Sequence, residues 1–126
     1  DMFSENRTAA ILAKAVANDA TALDAASTLR AATLGGATAL GFADRIGSIE
    51  VGKQADLVCV DLGQLETQPL HNVISQLVYA TGRHQVSDVW IAGVSRLENR
   101  VLVDMDIDGI MANARQWRER IASVRG

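Results

Sequence analysis

Ile46-Gly47-Ser48-Ile49-Glu50-Val51-Gly52-Lys53-Gln54-Ala55-Asp56-Leu57-Val58 is the stretch from which the fold can be read. Gly47 and Gly52 let the backbone turn twice, because glycine visits left-handed φ without a steric cost. The apolar run Ala55 to Asp61 follows directly. Successive strand residues point to opposite faces, so Ala55, Leu57 and Cys59 face one way and Val58 and Val60 the other. A short apolar run bounded by turn signals reads as a strand covered on both faces. The expectation is therefore a central strand with Cys59 buried. Asp56 interrupts the run, and its expected role is structural, accepting bonds from the Gly52-Lys53 turn.

Downstream, Gly63 to Pro69 reads as a loop. Val73 to Tyr79 fits neither the helical nor the strand period. Val86 to Ala92 alternates as a strand, Ala92-Gly93 suits a tight hairpin turn, Val94 to Leu97 pairs back, and Arg100 to Val103 forms a further strand. The last element has the cleanest helical pattern: Ile107, Ile110, Met111, Ala114, Trp117, Ile121 and Val124 follow three-four spacing, with Asp104 or Asp106 as cap. Upstream, Met2 to Asn18 is a helix capped by Asp1, and Asp24 caps a second over Ala25 to Leu34. Gly35-Gly36 is expected to stop that helix in a left-handed cap. A short third helix, Ala37 to Leu40, ends at Gly41. Helices, then strands, then one helix match no familiar compact fold of this size. With Asp1-Met2-Phe3-Ser4 opening straight into a helix, the chain reads as a piece of something longer.

Composition narrows the function classes. Of 126 residues, 48% are hydrophobic and 21% charged, which suits a packed globular chain rather than a disordered one. The net charge of −3 lacks the basic excess of a nucleic-acid binder. Arg115, Arg118, Arg120 and Arg125 are spread around a helix with Glu119 among them, as on a solvated face. Cys59 is the sole cysteine, so no intrachain disulfide or thiolate cluster can form. No run approaches the roughly 20 apolar residues that span a bilayer, and no signal peptide is visible. The expectation is a cytoplasmic protein without nucleic-acid or membrane partners.

Three segments carry a resemblance. Ala32-Thr33-Leu34-Gly35-Gly36-Ala37-Thr38-Ala39-Leu40-Gly41 is similar to the AT-x-x-GA-x-ALG helix pair of the metal-dependent amidohydrolases. Ile46 to Val58 resembles their IG-S-[IL]-x-x-GK-x-ADLV signature, and Val86-Ser87-Asp88-Val89-Trp90-Ile91-Ala92-Gly93 resembles the hairpin that follows. Within the superfamily, Pro69 with Asn72 to Tyr79, and Asp1-Met2-Phe3, look most like the methylthioadenosine/S-adenosylhomocysteine deaminase branch of the cytosine deaminase-like chlorohydrolases.

The resemblance implies an α/β fold: the C-terminal fragment of a (β/α)₈ barrel plus the C-terminal share of its small β-sandwich. Residues 1–43 are then the last barrel helices, 44–103 the sandwich share, and 104–126 a C-terminal helix packing back on the body. It also implies hydrolytic deamination of an amino-purine nucleoside, such as methylthioadenosine or S-adenosylhomocysteine, by a parent that holds one divalent metal, zinc. Other implied partners are the rest of the parent chain and, in a homo-oligomer, further copies. The family's metal is held by an HxH pair, two later His and an Asp, and none of those motifs occurs here. His71 and His84 read as surface or packing histidines, and Phe3 and Glu5 as packing and helix-dipole residues. The seven serines, Ser4, Ser27, Ser48, Ser75, Ser87, Ser95 and Ser123, form no nucleophile elbow. We therefore assign no catalytic, substrate-binding or metal-ligating residue within the chain and expect it to be inactive alone. Two other readings stay open: an amidohydrolase acting on another ring (guanine, cytosine, 8-oxoguanine or a chlorotriazine), and a non-catalytic β-sandwich binding module.

Overall fold

Helix α1 runs from Met2 to Ala17, with the Asp1 carboxylate accepting from the Phe3 amide at its start. At its end Asn18 adopts left-handed φ (49°), and its amide donates to the Ala15 and Lys14 carbonyls. Lys14 then reaches forward and donates to the carbonyls of Ala22 and Leu23, tying the following loop to the helix. This computed structural model describes residues 1–124; Arg125 of the basic stretch lies outside the described residues.

The second helical rod departs from expectation. Asp24 caps α2 (Ala25–Arg30) by accepting from the Ser27 amide, but Gly35-Gly36 does not end the rod. Both glycines are right-handed helical, within and just after a π-helical turn over Ala31–Gly35, and the chain continues as α3 (Gly36–Ala39). The wider turn closes through the Gly36 amide onto the Ala31 carbonyl, five residues back. A Cβ on Gly35 would stand 3.1 Å from the Arg30 carbonyl oxygen, so glycine serves close backbone approach there rather than a left-handed cap. Gly41, at φ +75°, is the residue that turns the chain away.

From there the chain loops back over the rod. Gly47 has φ +90°, and a Cβ on it would stand 2.7 Å from Ala37 Cβ and 2.9 Å from Leu34 Cα. The Gln54 amide closes this loop on the Arg45 carbonyl at 2.8 Å. Lys53 secures its tip, donating to Ser48 Oγ and pairing with Glu50 at 3.3 Å. Gly52 makes the second turn at φ +95°.

Four strands then form one antiparallel meander: β1 (Leu57–Val60), β2 (Val86–Ile91), β3 (Val94–Glu98) and β4 (Val101–Leu102). Trp90 lies opposite Leu57 on one side and Ser95 on the other, and Leu97 opposite Leu102. Ala92-Gly93 and Asn99-Arg100, all at positive φ, make the two tight turns. β1 is thus an edge strand with a single neighbour, and Cys59 is exposed, which corrects the expected central strand with a buried thiol. An apolar run marks a strand but does not say on which side its partners lie.

Between β1 and β2 the period-ambiguous segment is helix α4 (Val73–Tyr79), capped by Asn72 accepting from the Ser75 amide. Helices α1, α2 and α4 pack together around Ala10 and Val78, which are fully buried. The final helix, α5 (Ile107–Val124), starts where Asp106 accepts from the Gly109 amide. No residue of α5 is buried. Among the described residues no helix is long and apolar enough to cross a membrane.

The exposed area is 9097 Å². A compact monomer of 13.4 kDa exposes about 6,500 Å². Large apolar side chains contribute to it: Ile11, Leu12 and Val16 on α1, Val58 on β1, and Ile107, Ile110, Met111, Trp117, Ile121 and Val124 on α5 are exposed.

Candidate functional site

Apart from that core, the side-chain hydrogen bond that spans most sequence among the described residues runs from α1 to the segment after α4. Arg7 Nη2 donates to the Thr81 carbonyl at 2.7 Å. The next amide, of Gly82, donates to Gln85 Oε1 at 2.8 Å, and Thr81 itself donates through Oγ1 and N to the Gln76 carbonyl. Thr81 and Gln85 are fully buried. A buried peptide needs both its polar groups met, and here two elements distant in sequence meet them. The arrangement fixes α1 against the entry to β2. Nothing in the local pattern around Gln85 signals burial, so the sequence offered no means of finding it.

A second polar cluster sits at the end of β1. The Asp61 carboxylate accepts from Gln64 Nε2, the Gly63 amide and Arg100 Nη2, the last at 2.9 Å. Those donors, the Gln64 amide foremost, hold its pKa down at about 2. Arg100 also donates to the His84 carbonyl, so it joins β1, the start of β2 and the turn before β4. The Asp61-Leu62-Gly63 spacing is an Asx-turn signal and could have flagged the carboxylate. Asp88 accepts from the Asn99 amide across the same turn, and bonds from Ser87 and Asn99 lower its pKa. Asp56 is structural as expected but with another partner. It accepts from the Ala92 amide at 2.6 Å, pinning the β2–β3 turn rather than the Gly52-Lys53 turn.

The residues weighed for chemistry stay apart. His84 lies 3.3 Å from Glu66 with both side chains largely exposed, and His71 is exposed in the loop before α4. Met2 and Glu5 are exposed on the first turn of α1, and Phe3 is half-buried. A shallow hollow is lined by Asp24, Ala25, Ala26, Asn72, Ile74 and Ser75, but its two polar caps are spent on Ser27 and Ser75. Among the described residues no group of three or more His, Cys, Asp or Glu is placed to hold a metal ion. The described residues therefore do not fit a metal centre.

Comparison with known proteins supplies the context. Residues 1–96 match the family model described as "Amidohydrolase family". The 5-methylthioadenosine/S-adenosylhomocysteine deaminase of Teredinibacter turnerae is 47% identical over 99% of this chain and 28% of its own length. That of Syntrophobacter fumaroxidans is 44% identical over 91% of this chain and 26% of its own. Among solved structures, an adenosine deaminase from Xanthomonas campestris with bound zinc superposes with TM-score 0.95. It is 80% identical, over 98% of this chain and 28% of its own. Atrazine chlorohydrolase from Arthrobacter aurescens, complexed with zinc, superposes with TM-score 0.81 at 28% identity, over 90% of this chain and 25% of its own. The chain thus spans little more than a quarter of these relatives and corresponds to their C-terminal portion.

Proposed function

The chain belongs to the amidohydrolase family, and we propose that it is the C-terminal part of a metal-dependent hydrolase that deaminates an amino-purine nucleoside such as methylthioadenosine or S-adenosylhomocysteine. One observation carries this reading: 47% identity to a deaminase of that name, sustained over 99% of the chain. The superposition on an adenosine deaminase supports the same substrate class. The chlorohydrolase likeness supports the triazine alternative more weakly, at 28% identity.

In this reading the part played by the chain is structural. Residues 1–43 are the last barrel helices, residues 44–103 are the C-terminal share of the sandwich, and the setting is cytoplasmic. The Arg7–Thr81 bond joins barrel helix to sandwich, the divalent metal, zinc, is held by the rest of the parent, and the exposed apolar faces of α1 and β1 are covered there. Ammonia release by the full-length protein tests the substrate. Methylthioadenosine and S-adenosylhomocysteine should be turned over, and guanine, cytosine, 8-oxoguanine and atrazine should not. Turnover of a triazine or a free base in preference to the nucleosides would overturn the reading.

A further inference from the structure

Among the described residues, buried donors without an acceptor gather at one junction. Apart from Ser95 Oγ on β3, the buried side-chain polar atoms with no hydrogen-bond partner there are Arg7 Nε, Gln76 Nε2 and Gln85 Nε2. All three belong to residues bonded into the Thr81-Gly82 stretch. Arg7 donates to the Thr81 carbonyl, the Gln76 carbonyl accepts from Thr81, and Gln85 Oε1 accepts from the Gly82 amide. That last bond fixes the orientation of the Gln85 side chain, since only its oxygen can meet an N–H, and it leaves Nε2 to find another partner. Gln85 is fully buried, so solvent does not serve. A buried donor left unmet carries its full desolvation cost.

Charge says what kind of acceptor belongs there. Arg7 is half-buried and takes no part in the ion pairs among the described residues, which are Lys53–Glu50, His84–Glu66 and Arg100–Asp61. A partly buried cation without a counter-charge is unfavourable. We infer that Arg7, Gln76 and Gln85 seat a carboxylate, the side chain of an Asp or Glu from the rest of the parent, at the junction of α1, α4 and the turn before β2. An ionised carboxylate only accepts, at about four lone-pair positions, so one such group meets all three donors and neutralises Arg7. A water molecule brings donors of its own that need acceptors, and a main-chain carbonyl carries no net charge to offset the guanidinium. Guanidinium-to-carboxylate bonds are also stronger than bonds between neutral groups. The carboxylate ties α1, α4 and the entry to β2 to the remainder of the parent at one point. The inference rests on the reading of the chain as part of a longer protein, which its 28% coverage of the Teredinibacter deaminase supports, and not on that protein's substrate.

The test uses the full-length protein that contains this chain. Its crystal structure should place carboxylate oxygens within hydrogen-bond reach of Arg7 Nε and Gln85 Nε2. Stability should follow the charge. Arg7→Gln leaves the carboxylate buried without its cation and raises its folded pKa above the unfolded value. The unfolding midpoint of that variant should therefore lie well below that of the unsubstituted protein at about pH 8, and approach it as the pH falls toward about 5. Arg7→Lys keeps the charge and should show a smaller deficit, nearly equal at both pH values. The other titrating groups nearby are Glu5 and Lys14 on α1, Tyr79 on α4 and the His84–Glu66 pair beside Gln85. They are common to all these proteins and cancel in the difference. A water or a main-chain carbonyl at the Arg7 and Gln85 donors overturns the inference, and so does an Arg7→Gln deficit that does not change with pH. Should Arg7→Gln fail to fold, the crystal structure of the unsubstituted protein still decides. Neither experiment reads turnover, so failure here leaves the deaminase reading intact, and a different substrate leaves the carboxylate in place.

Discussion

A methyl group added at Gly47 has no room, whereas one added at Gly52 meets nothing within 4 Å, although both residues sit near φ +90°. Left-handed φ costs a side chain about 1–2 kcal/mol, and overpacking adds about 1–3 kcal/mol. Gly47→Ala should therefore destabilise by about 2–5 kcal/mol and Gly52→Ala only by about 1–2 kcal/mol, read from unfolding midpoints. Equal effects would show that the loop does not press on the Ala37 turn. Asp61 offers a test by titration. Its pKa is depressed from 3.8 to about 2, first by the Gln64 side chain, then by the Gly63 amide and Arg100. Because the folded value lies below the unfolded one, this stabilisation is complete above 3.8 and fades as pH falls through about 2. Carboxyl NMR should find Asp61 still ionised at about pH 3. A midpoint at the ordinary carboxylate value would remove the Gln64, Gly63 and Arg100 bonds from the account.

At the scale of elements, caps and turns were legible in the sequence and neighbours were not. Asp1, Asp24 and the Ala92-Gly93 turn stand where their chemistry requires, because each acts within three residues of itself. Gly35-Gly36 reads as a left-handed cap but is not one, because a glycine needed for close approach looks, in sequence, like one needed for left-handed φ. Val73 to Tyr79 was ambiguous because α4 buries only Val78; a helix with one buried position carries little periodicity. The apolar run around Leu57 predicts a central strand, yet β1 is an edge. Its hydrophobicity is explained if the rest of the parent covers it. Cys59 reports on that cover: a thiol reagent should modify it rapidly in the isolated 126-residue chain and far more slowly in the full-length protein. Equal rates would mean that no other element lies over β1.

For the whole molecule, the family was legible because Ile46 to Val58 encodes two turns and a strand in one fixed order, and the family model matches residues 1–96. The functional site was not, since the two histidines, His71 and His84, stand in no ligand-spaced motif and nothing local marks a site. Sequence also could not weigh exposure. The 9097 Å² of accessible surface exceeds that of a compact monomer of this mass, and the part-buried tie of Arg7 to Thr81 joins segments 74 residues apart. The account's central claim is that this chain closes and braces a deaminase without supplying its metal. Zinc content measured after chelator washing and zinc addition, on the isolated chain and on the full-length protein side by side, tests that claim most directly. The account predicts no stoichiometric zinc on the isolated chain and about one equivalent on the full-length protein; about one equivalent held by the isolated chain would contradict it.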